Sequence, residues 1–318
     1  MAWGLLDQVN FGVLLLLIPV QLISYYAVGG IIFSYLRAKN ELTNVSPWSM
    51  TRVALELNFV NHALPSGGVS GFSYLNWRLK HFGVSSSRST ISQVVRYACA
   101  FGVYLVLMLV ALLVMTIDGS VNKFIIYIGT FIGLTILFAA LFVIYVIGSE
   151  TRLRGFSRML TSRVNSFGHN VLRRRKVLLE ADKVTEYFRE LHDDYRELVK
   201  QPGALKKSLL WAIVYNFAEV GLFVVAFAAL GKWVDPAAIL VAYGLATISG
   251  IFVITPGGAG AYEALMISFL TSAGVPAGIA LAGVLLARVL LLMGTIATGY
   301  IFYQLALVRY GKDPNISQ

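Results

Sequence analysis

The chain has 318 residues, 57% hydrophobic and 13% charged, with 26 Lys+Arg against 16 Asp+Glu and a single cysteine. Soluble domains carry roughly a quarter of their residues as charge, so this composition excludes a disordered chain and argues against a soluble two-domain enzyme. The net charge of +10 is clustered, with 14 Lys/Arg against 8 Asp/Glu in residues 148–207 and further basic residues beside apolar runs (Arg37, Lys39, Arg88, Arg309, Lys312); that is membrane topology and attraction to anionic lipid rather than nucleic-acid binding.

About 20 apolar residues cross the hydrocarbon core of a bilayer. Phe11–Leu36 is the first such run. Met1–Asn10 has no basic n-region and no small-residue cleavage site follows, so it reads as a retained span, not a signal peptide. Next comes 47–79, apolar but interrupted at Pro65-Ser66-Gly67-Gly68. Val94–Ile117 and Phe124–Ile147 are predicted spans. Residues 150–200 read as soluble helix, with Val184, Phe188, Leu191, Tyr195 and Leu198 forming one apolar stripe. Gly168 and Asn170 mark a break that gives either a helical hairpin or a helix lying on the membrane surface. The stripe packs on the body of the protein or serves as a homodimer contact. Ser208–Leu230 is a further span. The segment 236–273 is again apolar but interrupted, at Thr255-Pro256-Gly257-Gly258. Gly278–Leu307 is the last span, long enough to tilt.

Charge bias sets the arrangement. With 148–207 in the cytoplasm, 124–147 runs inward and 94–117 outward, and Arg78, Lys80, Arg88 and Arg96 lie inside, Arg78 and Arg96 as interfacial anchors. Segment 47–79 then starts and ends in the cytoplasm, and 236–273 starts and ends outside. The expected fold is an all-α polytopic membrane protein with five full spans and two re-entrant helical hairpins in an inverted repeat. Its parts are a first membrane half (1–147), a basic cytoplasmic helical insertion (148–207) and a second membrane half (208–318), with the N-terminus outside and the C-terminus cytoplasmic. In the competing arrangement each broken segment is one ordinary span, which leaves four basic residues on the wrong side.

The string Leu57-Asn58-Phe59-Val60-Asn61-His62-Ala63-Leu64-Pro65-Ser66-Gly67-Gly68-Val69-Ser70-Gly71, the string Thr255-Pro256-Gly257-Gly258-Ala259-Gly260-Ala261-Tyr262-Glu263-Ala264, and Arg288 in the last span carry a resemblance. The chain resembles the lysylphosphatidylglycerol synthase transmembrane-region family, the flippase-like half of the multiple peptide resistance factor. The resemblance implies lipid translocation between leaflets. The aminoacyl-transferase domain of two-part members has no counterpart in these residues, so lipid lysylation is not carried over.

The candidate headgroup site follows from charge and polarity at membrane depth. An ionised residue there costs at least ~2.5 kcal/mol, so Glu263 and Arg288 are expected to pair and to face a lipid phosphate, or else to form a purely structural ion pair. Half-helices starting at Gly67 and Gly257 would offer unpaired N–H groups to an anion, with Pro65, Ser66, Gly68, Gly71, Thr255, Pro256, Gly258 and Gly260 shaping the turns; close helix crossing is the alternative use of these glycines. Glu56, Asn58, Asn61 and His62 form a polar face, Glu56 being an i, i+4 neighbour of Arg52. Asn216 and Glu219 would complete a wet cavity.

Cys99 stands alone, and His62, His81, His169 and His192 show no metal-ligand spacing, so no metal and no cofactor is expected. No Walker loop, nucleophile elbow or zinc motif occurs in the sequence. The expected activity is non-enzymatic translocation of a phospho- or isoprenoid lipid, with membrane lipids of anionic headgroup as partners. The alternatives are a membrane subunit of, or an enzyme in, lipid-linked glycosyl or aminoacyl transfer, with Glu56 and Glu263 as its carboxylates and a transferase as partner, and a structural scaffold.

Overall fold

The computed structural model describes residues 9–63, 69–117, 123–170, 181–252, 255 and 258–311, and no strand occurs among them. The helices are α1 (Phe11–Leu14), α2 (Leu17–Ala38), α3 (Pro47–Ala63), α4 (Val69–Lys80), α5 (Ser86–Ile117), α6 (Lys123–Ile147), α7 (Glu150–Asn170), α8 (Ala181–Lys200), a 3-10 turn (Pro202–Leu205), α9 (Lys206–Ala229), α10 (Pro236–Phe252), α11 (Ala261–Ser272) and α12 (Ala277–Tyr310). Among the described residues five stretches are long and apolar enough to cross a membrane, namely Phe11–Ala38, Ser86–Ile117, Gly129–Ile147, Pro202–Ala229 and Ala277–Tyr310. They coincide with the five runs read from the sequence.

One boundary moves for a local reason. The apolar run of the second span begins at Val94, but α5 begins at Ser86. Ser85 precedes it, and its Oγ accepts from Arg88 N at 3.2 Å, which is how a serine caps a helix start. Hydropathy does not see a cap. The consequence is that Arg96 lies ten residues inside a 32-residue helix, roughly 15 Å from its start at 1.5 Å per residue.

Residues 1–134 and 207–318 form one compact unit. Within it, α3 and α4 pack on each other. Ser70 Oγ donates to Val60 O, while Tyr74 and Arg78 both reach back to Glu56. As numbers rise on α4 they fall on α3, so the two arms are antiparallel. The other broken segment behaves alike. Thr247 and Tyr262 line one cavity next to the break, and Ala238 and Ala273 line another at the far end, so α10 and α11 are antiparallel too.

Between the halves the packing is exchanged. Helix α3 packs on α12, and α10 packs on α5, while α4 and α11 pack on the spans that follow them, α5 and α12. A continuous apolar cluster joins α5 (Tyr104, Met108, Leu112), α9 (Phe223, Phe227), α10 (Ile239, Tyr243) and α11 (Met266, Leu270). Lipid tails are as apolar as leucine, so such contacts rest on close van der Waals fit rather than on expulsion of water. Glycines supply that fit. A Cβ on Gly244 would run into the Tyr104 side chain, and one on Gly299 would sit 2.5 Å from Phe59 Cβ and 2.8 Å from Leu55 O.

Residues 135–206 form the other compact unit. Here α7 and α8 pack together, with Phe156 edge-on to Phe188 at 6.0 Å. Val184, Phe188, Tyr195 and Leu198 of the predicted stripe are half-buried, which matches the helical-pair reading rather than a lone surface helix. Gly168 does not break α7, which continues to Asn170. His192 Nδ1 donates to Ile147 O at 2.6 Å, giving a partner to a carbonyl at the C-terminus of α6, where helices leave carbonyls unpaired. Arg154 donates to Glu150 on the exposed face of α7, and this holds the Glu150 carboxyl below the usual carboxylate range.

Candidate functional site

The predicted polar residues fall into three groups. The first is an ion pair inside the first hairpin. Glu56 is 2% exposed, and its Oε2 accepts from Arg78 Nε at 2.9 Å and from the Tyr74 hydroxyl at 2.9 Å. Arg78 is itself buried, with its guanidinium 4.4 Å from the Tyr310 ring centre and 4.8 Å from that of Phe82. Two sequence expectations are corrected here. Arg78 is not an interfacial anchor, because the hairpin turn folds it back onto Glu56. Arg52 is not the hydrogen-bonded partner of Glu56; it is exposed and lies over Trp48 and Phe302 at 5.3 and 5.6 Å. An i, i+4 pair led by arginine is the weaker order, and a cross-hairpin partner that reaches the carboxylate through Nε wins.

The second group is the ion pair of the other half. Arg288 Nε donates to Glu263 Oε1 at 2.7 Å, and the guanidinium lies 4.0 Å from the Tyr262 ring centre. Glu263 also accepts from Gly260 N at 2.7 Å. This matters for the proposed anion site at the turn. The half-helix begins at Ala261 rather than Gly257, and the N–H before it is already taken by a carboxylate of the same helix. Gly260 is at φ 91°, a conformation that costs an L-residue with a Cβ roughly 1–2 kcal/mol. Thr255 Oγ1 donates to Ala259 O and Gly258 is buried within the same turn. Pro65, Ser66, Gly67, Gly68, Pro256 and Gly257 lie outside the described residues. Gly71 packs directly against the Asn61 side chain.

The third group surrounds a cavity of about 230 Å³. Asn58, His62, Glu219 and Arg288 line it together with Gln21, Ser24, Tyr25 and Tyr243. Asn58 and His62 are one turn apart on α3 and do share the face. His62 Nδ1 bonds Asn58 O at 2.8 Å; a carbonyl only accepts, so Nδ1 carries the proton and Nε2 is left for the cavity. Glu219 is half-buried and accepts from Ser24 Oγ at 2.5 Å and Tyr243 OH at 3.3 Å. Gln21 donates to Tyr25, to Thr295 and to Leu291 O. Asn216 is buried and lines a smaller adjoining cavity, its amide donating to Ala212 O at 2.8 Å and Ala100 O at 3.1 Å. Glu56 lines neither cavity. Glu56 and Glu263 are therefore each held by a different arginine instead of sharing one site.

Sequence reasoning missed Gln21, Ser24 and the tyrosines. Gln21 and Ser24 carried a signal, being polar residues within the first apolar run. Tyr25, Tyr215, Tyr243 and Tyr262 carried none, since tyrosine passes as apolar in any hydropathy reading. Among the described residues no group of three or more His, Cys, Asp or Glu could hold a metal ion. The arrangement is a partly polar cavity of about 230 Å³ in a bundle of apolar helices, with hydrogen-bonding and charged groups converging from α2, α3, α9, α10 and α12.

No curated protein and no solved structure matches the chain. The family model described as the lysylphosphatidylglycerol synthase TM region matches residues 2–299. With five candidate spans and this match over most of its length, the chain is a multi-pass membrane protein of lipid metabolism or translocation and belongs to the lysylphosphatidylglycerol synthase TM region family.

Proposed function

We propose that the protein translocates a phosphate-bearing lipid, phospholipid or isoprenoid, between leaflets, and that it does so without catalysing a covalent step. The observation that carries this reading is the 230 Å³ cavity with Arg288, Glu219, His62 and Asn58 in its wall. A scaffold has no use for ionised groups facing a cavity inside apolar helices, because each one is costly there. A headgroup passing through it keeps hydrogen bonds while its tails stay in lipid.

The membrane topology proposed is two re-entrant hairpins in an inverted repeat. Arms of 17 and 12 residues in both broken segments are shorter than the about 20 residues a span needs. Antiparallel packing of the arms returns each segment to its starting side. The exchanged contacts, α3 on α12 and α10 on α5, are those expected when each hairpin leans on the span that follows the other hairpin. Charge bias puts residues 148–207 and the C-terminus in the cytoplasm and the N-terminus outside. The lipids served have anionic headgroups. A passage of this kind equilibrates lipid, and directed flow requires a product sink or the membrane potential.

The test is a scrambling assay on purified protein in liposomes with fluorescent lipids of several headgroups, in which dithionite quenches the outer leaflet. Wild type is expected to let quenching proceed past one half for a phosphate-bearing lipid. Arg288→Ala is expected to remove that extra phase while eluting as a folded species. Quenching that stops at one half for every headgroup overturns the reading, and full scrambling by Arg288→Ala removes Arg288 from the mechanism.

A further inference from the structure

Arg78, Arg96 and Arg288 are buried or half-buried in the compact unit of residues 1–134 and 207–318, and they are not equivalent. Arg78 has Glu56, and Arg288 has Glu263. Arg96 has no carboxylate within ion-pair distance among the described residues. Its guanidinium carbon lies 4.3 Å from the Tyr97 ring centre, and its Nη1 is buried without an acceptor. A guanidinium stays charged at every physiological pH, and burying that charge without an anion is costly.

Arg96 is also aimed at a space. It lines a cavity of about 110 Å³ with Tyr97, Ala100, Tyr104 and Asn216. This cavity shares Val28, Asn58, Tyr215, Tyr243 and Thr247 with the larger one, so the two are neighbouring compartments of one polar interior. Glu219, one turn after Tyr215 on α9, lines the larger cavity and not the smaller one. Its oxygens already accept from Ser24 and Tyr243, and Tyr215 lies within electrostatic reach of both Glu219 and Arg96. Arg288 is neutralised where it stands; among the described residues that line the two cavities, Arg96 is the cation without a carboxylate partner.

We propose that Arg96 is the anion receptor of this interior and takes a phosphoryl group in the smaller compartment. Its planar fork matches two phosphate oxygens at once, and Tyr97 holds the guanidinium plane. The inference rests on reading the interior as a headgroup path, and it adds where the phosphate docks. The phosphoryl group can belong to a lipid headgroup or to free phosphate.

Binding, not transport, tests it. Full-length protein in detergent is titrated with inorganic phosphate, with dihexanoyl phosphatidic acid and with uncharged dihexanoylglycerol, following thermal unfolding. Wild type should be stabilised by a phosphate-bearing probe and not by dihexanoylglycerol. Stabilisation by phosphatidic acid alone assigns the site to lipid, and by inorganic phosphate as well assigns it to the phosphoryl group itself; both support the proposal. Arg96→Gln should weaken that binding at least tenfold, and Arg96→Lys, which keeps the charge but loses the fork, by several-fold. Ala100→Leu narrows the compartment without touching a charge and should also abolish binding, so the test survives an Arg96→Gln protein that does not assemble. Equal binding by the uncharged probe, no stabilisation by any phosphate, or wild-type affinity in Arg96→Gln or Ala100→Leu overturns the proposal. Arg96-dependent binding by a protein that scrambles no lipid leaves this inference standing and removes the translocation reading instead.

Discussion

Arg78 on the second arm of the first hairpin donates to Glu56 on the first arm at 2.9 Å, and both side chains are almost fully enclosed. Tyr74 donates to the same carboxylate oxygen. The pair ties the open end of the hairpin to itself, one turn from where α4 ends at Lys80. Removing one partner of a buried pair strands the other charge, which costs about 3–5 kcal/mol, whereas removing both is close to neutral. Arg78→Met is therefore expected to lower the yield of monodisperse protein and its melting temperature strongly, and Glu56→Gln combined with Arg78→Met to recover much of both. Thermal unfolding of the three purified proteins checks this; a double variant no better than Arg78→Met would show that the pair does more than cancel charge.

Close helix contact at glycine gives a second expectation. Gly244→Ala pushes a methyl group into Tyr104, whose hydroxyl otherwise donates to Leu240 O. Overpacking of this kind costs about 1–3 kcal/mol. Shortening the neighbour with Tyr104→Leu should restore part of the loss. Gly299→Ala meets Leu55 O and Phe59 Cβ instead. No side-chain truncation removes a backbone oxygen, so Gly299→Ala should resist rescue by Phe59→Ala. Melting temperatures of the single and double variants separate the two cases.

Glu219 offers a test of electrostatics inside the cavity. Its negative charge faces the interior that receives the anion, and like charges within a few ångströms of a low-dielectric wall repel by about 1 kcal/mol or more. Glu219→Gln removes the charge, keeps one acceptor oxygen, and turns the other position into an amide donor that a hydroxyl of Ser24 or Tyr243 can accept. Phosphate-bearing probes should then bind roughly two- to tenfold more tightly, by about the amount that 1 kcal/mol is worth in affinity. Weaker binding in Glu219→Gln would mean that Glu219 assists the anion rather than opposing it.

In residues 135–206 the bond from His192 to Ile147 O joins α8 to the end of α6. His192→Ala leaves that carbonyl without its partner and should cost about 1 kcal/mol. Amide exchange should speed up in the last turn of α6 and along α8, while the apolar cluster around Phe223 and Phe227 keeps its protection. Unchanged exchange in α8 would show that the Phe156–Phe188 contact alone holds the pair.

The sequence by itself determined the class. Span length, the clustering of charge and two runs broken by proline and glycine are one-dimensional properties, set by bilayer thickness and by backbone chemistry. They gave five spans, two short-armed segments, and Glu263 with Arg288 as candidate charges at depth. The pairing of Glu263 with Arg288 was legible there too, but tertiary structure decided the partners of the other charges. Glu56 was read beside Arg52 because four residues separate them, but a turn brings Arg78 to it with better aim. Arg78 and Arg96 looked alike from the sequence, two basic residues flanking a loop; one is neutralised across a hairpin and the other, placed deep by a serine cap at residue 85, faces a cavity with its charge unmatched. Ion pairing and cavity walls depend on distances across the fold, and residue spacing does not encode those distances.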